Sequence, residues 1–383
     1  MFHRQRRMLP NRRLNAAWVI VPALGFACAK SEAPKPTAES TSGSQASPTT
    51  TSTAATPKPL SFPPLPEPPS SLGPLRVPAN NPTTPAKVRL GQELFFDPAL
   101  SVDGTRACYS CHQNEDGTGG HDPTAIGAKN APLPRHSPTL WNVGYLPRLY
   151  WDGRSDSLEA QAKAAWAGGN MGVGEPNLAA KADEIGNMPK YQALFAAAFP
   201  GIGATVTSIV QALSAYERTL FCGDTKVDRH LAGDRAALND QEKAGLELFT
   251  GKAGCHACHT PPFFSDAYLA EEGSYHNVGV GFAGKAANAV DIGRQKVTNG
   301  PDDFAAFKTP PLRNISRSAP YLHDGSLTKL RDVVRYMAGG GYKNPKLDPK
   351  MVDKKLSDDE IDKLVAFLGA LECSGKLEPP PAL

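Results

Sequence analysis

The pentapeptide Cys-x-x-Cys-His occurs twice, as Cys108-Tyr109-Ser110-Cys111-His112 and as Cys255-His256-Ala257-Cys258-His259. Two thiols at this spacing can add across the vinyl groups of one haem, and the adjacent histidine can swing beneath the iron as proximal ligand. Zinc would want four convergent ligands, and neither cluster has a clear partner pair elsewhere in the chain. The spacing therefore predicts two covalent c-type haems, one on Cys108, Cys111 and His112, the other on Cys255, Cys258 and His259. Two haems in one chain mean electron transfer, or oxidation chemistry fed by it.

The elements that must position these groups come in two copies. Gly91-Gln92-Glu93-Leu94-Phe95 precedes the first haem motif and Gly245-Leu246-Glu247-Leu248-Phe249 the second. Downstream, Pro138-Thr139-Leu140-Trp141-Asn142 echoes Pro310-Pro311-Leu312-Arg313-Asn314, and Trp151-Asp152-Gly153 echoes His323-Asp324-Gly325. Internal repetition at this scale predicts two homologous haem domains, 81–233 and 234–383.

Helix signals dominate inside them. Ser357 with Glu360 forms a capping box before the periodic run Ile361, Leu364, Val365 and Leu368, and Asn239 with Glu242 does so before Leu246. Leu330, Val333, Val334 and Met337 have helical spacing, as do Tyr191, Leu194, Phe195 and Ala198. Glycine- and proline-rich stretches separate them, which suits a fold whose cofactor supplies much of the apolar core. The class is mainly α.

The repetition also lets the two irons be compared. Met337 stands fourteen residues after His323; Ala165 stands fourteen after Trp151. A thioether is a good sixth ligand that raises haem potential, and alanine cannot bind iron. The second haem is expected to be closed by Met337 and to hold electrons, the first to be open to a small ligand.

The N-terminus points to export. Arg4, Arg6, Arg7, Arg12 and Arg13 precede an apolar run from Ala16 to Ala27, too short for a permanent span, so residues 1–27 read as a secretory signal. Leu24-Gly25-Phe26-Ala27-Cys28 resembles a bacterial lipoprotein cleavage box, with Cys28 as lipid anchor; cleavage after Ala27 or Ala29 would instead release a soluble periplasmic protein. Residues 28–80, rich in Ser, Thr, Pro and Ala, cannot bury enough surface to offset ordering entropy and are expected to form a disordered tether. The formal charge is +3, and the five signal arginines leave with the signal, so the mature chain is near neutral. No basic patch argues for nucleic acid. Of the seven cysteines, Cys222 and Cys373 remain after the haem motifs and Cys28, and in an oxidising compartment they are either a structural disulfide or two unrelated thiols.

From Pro85 to Leu371 the chain resembles the bacterial di-haem cytochrome c peroxidase and MauG family. The resemblance is carried by Leu90-Gly91 to Phe96-Asp97-Pro98, Cys108 to His112, Pro134-Arg135 to Thr139-Leu140 and Trp151-Asp152-Gly153-Arg154. It continues in Tyr216-Glu217-Arg218-Thr219-Leu220, His276-Asn277-Val278-Gly279, Thr309-Pro310 to Asn314 and Pro320-Tyr321-Leu322-His323-Asp324-Gly325. It implies two cytochrome c-like domains, with hydrogen peroxide reduced at the first haem and electrons entering through the second from a small periplasmic cytochrome c or cupredoxin. A homodimer is compatible with it. Trp151 matches the tryptophan that lies between the haems in the family, a relay. Peroxidases of the family carry methionine at the position of Met337, whereas the MauG branch, which oxidises a partner protein, carries tyrosine; Tyr336 lies one residue off.

Two regions depart from the family pattern. Ala128 stands where many members hold a distal histidine, with His121 and His136 nearby in sequence. Gln161 matches a distal glutamine, but Asn170 stands where the family has a catalytic glutamate; Glu175 is the next acidic residue. The family's calcium site would fall on the carbonyls of Ser318 and Pro320, with His136 in place of its asparagine, a poor substitute for an oxygen ligand. The expected function is peroxidase. The rivals are a MauG-like oxidase, a di-haem electron carrier and an oxygenase acting on another substrate.

Overall fold

The computed structural model describes residues 60–284 and 289–381; the expected signal and Cys28 lie outside them. Ten helices run through the described residues: α1 (Pro85–Phe96), α2 (Leu158–Ala167), α3 (Leu178–Gly186), α4 (Pro189–Ala198), α5 (Val206–Glu217), α6 (Lys226–Leu231), α7 (Asp240–Thr250), α8 (Gln295–Thr298), α9 (Leu330–Ala338) and α10 (Asp358–Gly369). Among the described residues only β1 (Tyr275–His276) and β2 (Phe307–Lys308) pair as strands, antiparallel. Capping starts the helices where the sequence signals it. Asn239 and Glu242 cap α7 reciprocally, Ser357 and Glu360 cap α10, and Thr205 and Ser208 cap α5. None of the described helices is long and apolar enough to cross a membrane.

The repeated Gly-x-Glu-Leu-Phe motifs have a geometric cause. In the first lobe α1 crosses α5 at Gly91, where a methyl group would overlap the Ala212 carbonyl and crowd Tyr216. In the second, α7 crosses α10 at Gly245, against the Lys363 carbonyl and Phe367. Only glycine permits so close an approach. The other echoes also recur in the backbone. Asn142 and Asn314 both adopt left-handed conformations, at φ 60° and 62°, and the loops of Trp151-Asp152-Gly153 and His323-Asp324-Gly325 are closed by equivalent bridges, Leu149 with Ser155 and Tyr321 with Leu327. The Asn142 amide donates to the Leu220 carbonyl and the Asn314 amide to that of Leu371.

The lobes meet reciprocally. The His136 amide donates to the His323 carbonyl at 2.8 Å, and the Lys308 amide donates to the Trp151 carbonyl at 2.8 Å. Positions 136 and 308 correspond in the repeat, as do 151 and 323, so the interface is a pseudo-two-fold one. Arg135 joins it by ion pairs to Asp152 of its own lobe, at 2.7 Å, and to Asp291 of the other, at 2.6 Å.

Two core clusters shift the expected boundaries. Val227 of α6 is buried with Leu238, Phe249 and Phe367, so α6 packs with the second lobe although it precedes residue 234. Conversely Cys373 and Leu377 belong to the first core, and Leu377 exchanges two hydrogen bonds with the Asn114 side chain, at 2.7 and 2.9 Å. Cys222 and Cys373 form a disulfide with Cα atoms 5.5 Å apart. Residues 60–80, expected as the end of a disordered tether, lie instead along the first lobe. There Phe62 packs on its core, Leu72 is buried, and Tyr145 Oη donates to the Gly73 carbonyl at 3.0 Å. A few apolar side chains among prolines can dock on an existing surface without any periodicity to announce them.

Candidate functional site

A cavity of about 1200 Å³ extends through both lobes. It is lined by His112, Trp151, Gln161, Asn170 and Glu217 of the first and by Cys255, Cys258, His259, Lys308 and Met337 of the second. Of the expected haem residues, His112, Cys255, Cys258, His259 and Met337 line this one cavity, while Cys108 and Cys111 precede His112 on its turn without lining it. Each Cys-x-x-Cys-His motif forms a 3-10 turn, over Cys108–Ser110 and Cys255–Ala257. The turn carries the histidine back under the cavity. His112 Nδ1 donates to the Thr118 carbonyl at 2.9 Å and His259 Nδ1 to the Phe264 carbonyl at 2.9 Å. Such a bond fixes the tautomer and leaves Nε2 as the free ligand atom. Burial favours the neutral imidazole in both, holding the His112 pKa down at about 4 and lowering that of His259. Burial also raises the Cys108 and Cys111 thiols and pushes Cys255 up to about 11. Cys108, Cys111, Cys255 and Cys258 take no part in a disulfide, which leaves all four sulfurs for thioether bonds to haem. With two oriented imidazoles and apolar walls, these residues fit two haem c groups.

Met337 lies on α9, half-buried, in the same cavity as His259. The neighbouring Tyr336 is committed elsewhere: its hydroxyl donates to the Val278 carbonyl at 2.8 Å, and burial pushes its pKa up to about 12. Trp151 sits at the junction of the lobes, its Nε1 donating to the His136 carbonyl at 2.8 Å and its ring edge-on to His323 with centroids 6.3 Å apart. His323 stacks in turn on Phe307 at 3.7 Å.

Gln161, on α2, and Asn170, on the loop after it, both line the first lobe's part of the cavity. Ala128, which stands where many family members hold a distal histidine, is buried with its amide donating to the Asn170 carbonyl at 3.0 Å. His121 is exposed beside Asp116. His136 reaches the cavity, but its Nδ1 donates to the Asp122 carbonyl at 2.9 Å. Glu175 turns outward to Lys163 at 2.6 Å. Ser318 and Pro320 line the cavity, yet position 136 supplies an imidazole rather than an oxygen, so the set does not fit calcium and no step is derived through that ion.

Three features were not singled out from the sequence as site residues. Glu217 is buried against the cavity at the end of α5. Lys308 is buried on β2, and desolvation pulls its pKa down to about 8. His276 lies between two carboxylates, Nε2 to Asp266 at 2.9 Å and Nδ1 to Asp348 at 2.6 Å. Glu217 and His276 stand inside recognisable motifs, and comparing the two repeats would have drawn out Glu217. Lys308 leaves no local signal, because a lysine in a two-residue strand is ordinary.

The model of the di-haem cytochrome c peroxidase family matches residues 85–236. Methylamine utilization protein MauG of Methylorubrum extorquens is 39% identical over 303 residues, covering 77% of this chain and 80% of that one. Cytochrome c551 peroxidase of Pseudomonas aeruginosa is 34% identical, covering 82% and 84%. Among solved structures, a MauG-like protein associated with microbial copper homeostasis superposes with a TM-score of 0.75 at 32% identity, covering 82% of this chain and 96% of that one. With the motifs, the shared cavity and these relatives in agreement, the chain belongs to the di-haem cytochrome c peroxidase and MauG family, as a peroxidase-type oxidoreductase with two covalently bound haem c groups.

Proposed function

We propose that the protein reduces hydrogen peroxide to water, H₂O₂ + 2 e⁻ + 2 H⁺ → 2 H₂O, with electrons from a small periplasmic donor, a cytochrome c or a cupredoxin. The observation that carries this reading is the asymmetry between α2 and α9. Met337 lines the cavity with His259, while its counterpart Ala165 has no atom that binds iron. The haems supply the one-electron steps and the iron at which the O–O bond breaks.

In this reading His112 and His259 would each hold a haem iron, and Met337 would be the further ligand that makes the second haem an electron store. The carboxamides of Gln161 and Asn170 would orient peroxide in the first lobe's part of the cavity by hydrogen bonding. Asn170 cannot carry a proton, so acid–base assistance worth roughly 10²–10⁴ in rate has to come from another group. Trp151, in contact with His323 at the junction, serves as the relay between the lobes. Methionine at 337, with Tyr336 tied to Val278, supports peroxide reduction over oxidation of a partner protein. The arginine-led apolar run and Cys28 support export and attachment to a membrane by lipid.

Optical and EPR spectra of the holoprotein, followed by stoichiometric peroxide and turnover with a reduced donor, test the reading. One high-spin and one low-spin haem, with two donor electrons consumed per peroxide, is the expected result. Two low-spin haems indifferent to peroxide would overturn it in favour of a carrier. Peroxide consumption without donor turnover would favour the MauG-like reading.

A further inference from the structure

The repeat identifies Glu217 as an anomaly. Gly91 meets Ala212 and Tyr216 across α1 and α5, and Gly245 meets Lys363 and Phe367 across α7 and α10. The same register pairs the Leu220 and Leu371 carbonyls, each accepting from its left-handed asparagine. Glu217 therefore occupies the place of Leu368, and both residues line the cavity. A leucine there is an apolar wall; a carboxyl in its place costs stability unless it is hydrogen-bonded, paired or neutral.

The carboxyl also lacks partners. Glu217 is 7% exposed, and its Oε2 is buried with no hydrogen bond. The guanidinium next to it makes no hydrogen bond to Glu217: Arg218 Nη2 donates to both oxygens of Glu159 on α2, at 2.7 and 2.9 Å, and its Nη1 is buried without a partner. The other cavity-lining carboxylates near the first haem motif are neutralised, Asp152 by Arg135 and Arg154 and Asp291 by Arg135. The titratable groups facing Glu217 are Arg218 and Tyr216 on its own helix, Glu159 on α2, and Cys108 on the turn after α1. Tyr216 in turn faces Cys108, Tyr109 and Glu378, and Lys87 of α1 is coupled to Arg218 and Glu159. Burial pushes the Glu217 pKa up to about 8, with Arg218 opposing and Glu159 adding to the rise.

We propose that Glu217 is the proton store of the first haem, taking up one proton when that haem gains one electron and releasing it into the cavity when the electron leaves. Charge compensation is the driving force. Reduction removes a positive charge from the site, which makes a neighbouring carboxylate less favourable in a medium of low dielectric constant. By linkage, the haem potential must then fall as pH rises through the range in which the carboxyl ionises. The store would supply the proton that Asn170 cannot. Glu217 acts through the haem and the cavity, as a positioning residue for charge.

The test is a pH series of the first haem's midpoint potential, by spectroelectrochemistry without peroxide or donor, on holoprotein carrying Glu217, Glu217→Gln or Glu217→Leu. The wild type should show a potential falling with pH from neutral into the alkaline range, approaching about 59 mV per pH unit, the one-electron equivalent of a tenfold change. Both variants should flatten that slope for the first haem and leave that of the second unchanged. An unchanged first-haem slope in a folded variant would overturn the proposal. Glu217→Gln keeps the shape of the side chain, so the test survives if Glu217→Leu does not fold. No step of it requires peroxide turnover, so it fails or succeeds independently of the peroxidase reading.

Discussion

Replacing Cys222 and Cys373 together with alanine measures how far the disulfide restrains the chain. The bridge spans 151 residues. Forbidding the unfolded chain to open a loop of that length removes about 17 cal/mol/K of entropy in the chain-entropy description, or about 5 kcal/mol at 25 °C. Measured losses for native disulfides, about 2–5 kcal/mol, set that figure near the upper edge. Cys222 is fully buried and Cys373 is 7% exposed, so deleting the sulfurs also empties packed volume, costing on the order of 1 kcal/mol more. The double variant should therefore lose about 4–6 kcal/mol. Guanidinium titration of the oxidised holoprotein, followed by far-UV circular dichroism and haem absorption, reads this directly. The double substitution leaves no lone thiol to cross-link and avoids a reductant that would also reduce the haems. A loss below about 1 kcal/mol with an unchanged m-value would refute the reasoning, because it would mean that the unfolded chain is not restrained by the bridge.

Arg313, fully buried and bidentate to Asp228 at 2.7 Å, should cost about 3–5 kcal/mol when replaced by methionine, since Asp228 would be left charged and unpaired; Arg313→Met together with Asp228→Asn should recover part of the loss in the same titration. His276 is held protonated by its bonds to Asp266 first and Asp348 as well, which raise its pKa from an ordinary 6.5. A raised folded-state pKa gives stability that is complete below about pH 6.5 and is lost as pH rises into the alkaline range. His276→Asn should lose about 2–3 kcal/mol at pH 6 and show a flatter decline over that rise, and an alkaline limb as steep as the wild type's would contradict this. The axial ligand admits a reciprocal pair: Met337→Ala should open the second haem and Ala165→Met should close the first. EPR should then find two high-spin haems in one variant and two low-spin haems in the other, and unchanged spin states in both would remove Met337 from the iron.

Much of this was legible because the chemistry is local. Cys-x-x-Cys-His fixes its haem within five residues, and the capping boxes at Asn239 and Ser357 lie within four, so neither needed tertiary information. The left-handed asparagines and the crossing glycines were visible as echoes, but their causes were not. Gly91 is required by the Ala212 carbonyl, more than a hundred residues away, and no local pattern contains that contact. The boundaries were misread for a related reason. α6 follows a first-lobe helix in sequence, yet its Asp228 is the anchor of Arg313 in the second lobe. Leu377, after the last helix, completes the first core. Chain order and packing order part company wherever a segment crosses between lobes.

The pseudo-two-fold axis explains why the functional asymmetry has to reside in side chains. A residue near such an axis meets its own counterpart. Trp151 meets His323, Arg135 lies over Phe307 at 5.2 Å, and Cys222 is bonded to Cys373, each pair joining equivalent positions of the repeat. Backbone symmetry of this kind would give both haems one environment and no preferred direction for an electron. The direction must then come from positions at which the halves differ: Ala165 against Met337, Gln161 against Val333, Glu217 against Leu368. In each pair the second lobe has the thioether or hydrocarbon and the first has the small or polar group. A thioether-ligated haem in an apolar wall favours the reduced state. It would hold an electron until reaction at the first haem draws it across Trp151. The first lobe's small or polar member of each pair would serve the site where protons and oxygen are handled, so a single duplicated fold can divide storage from chemistry by changing three side chains.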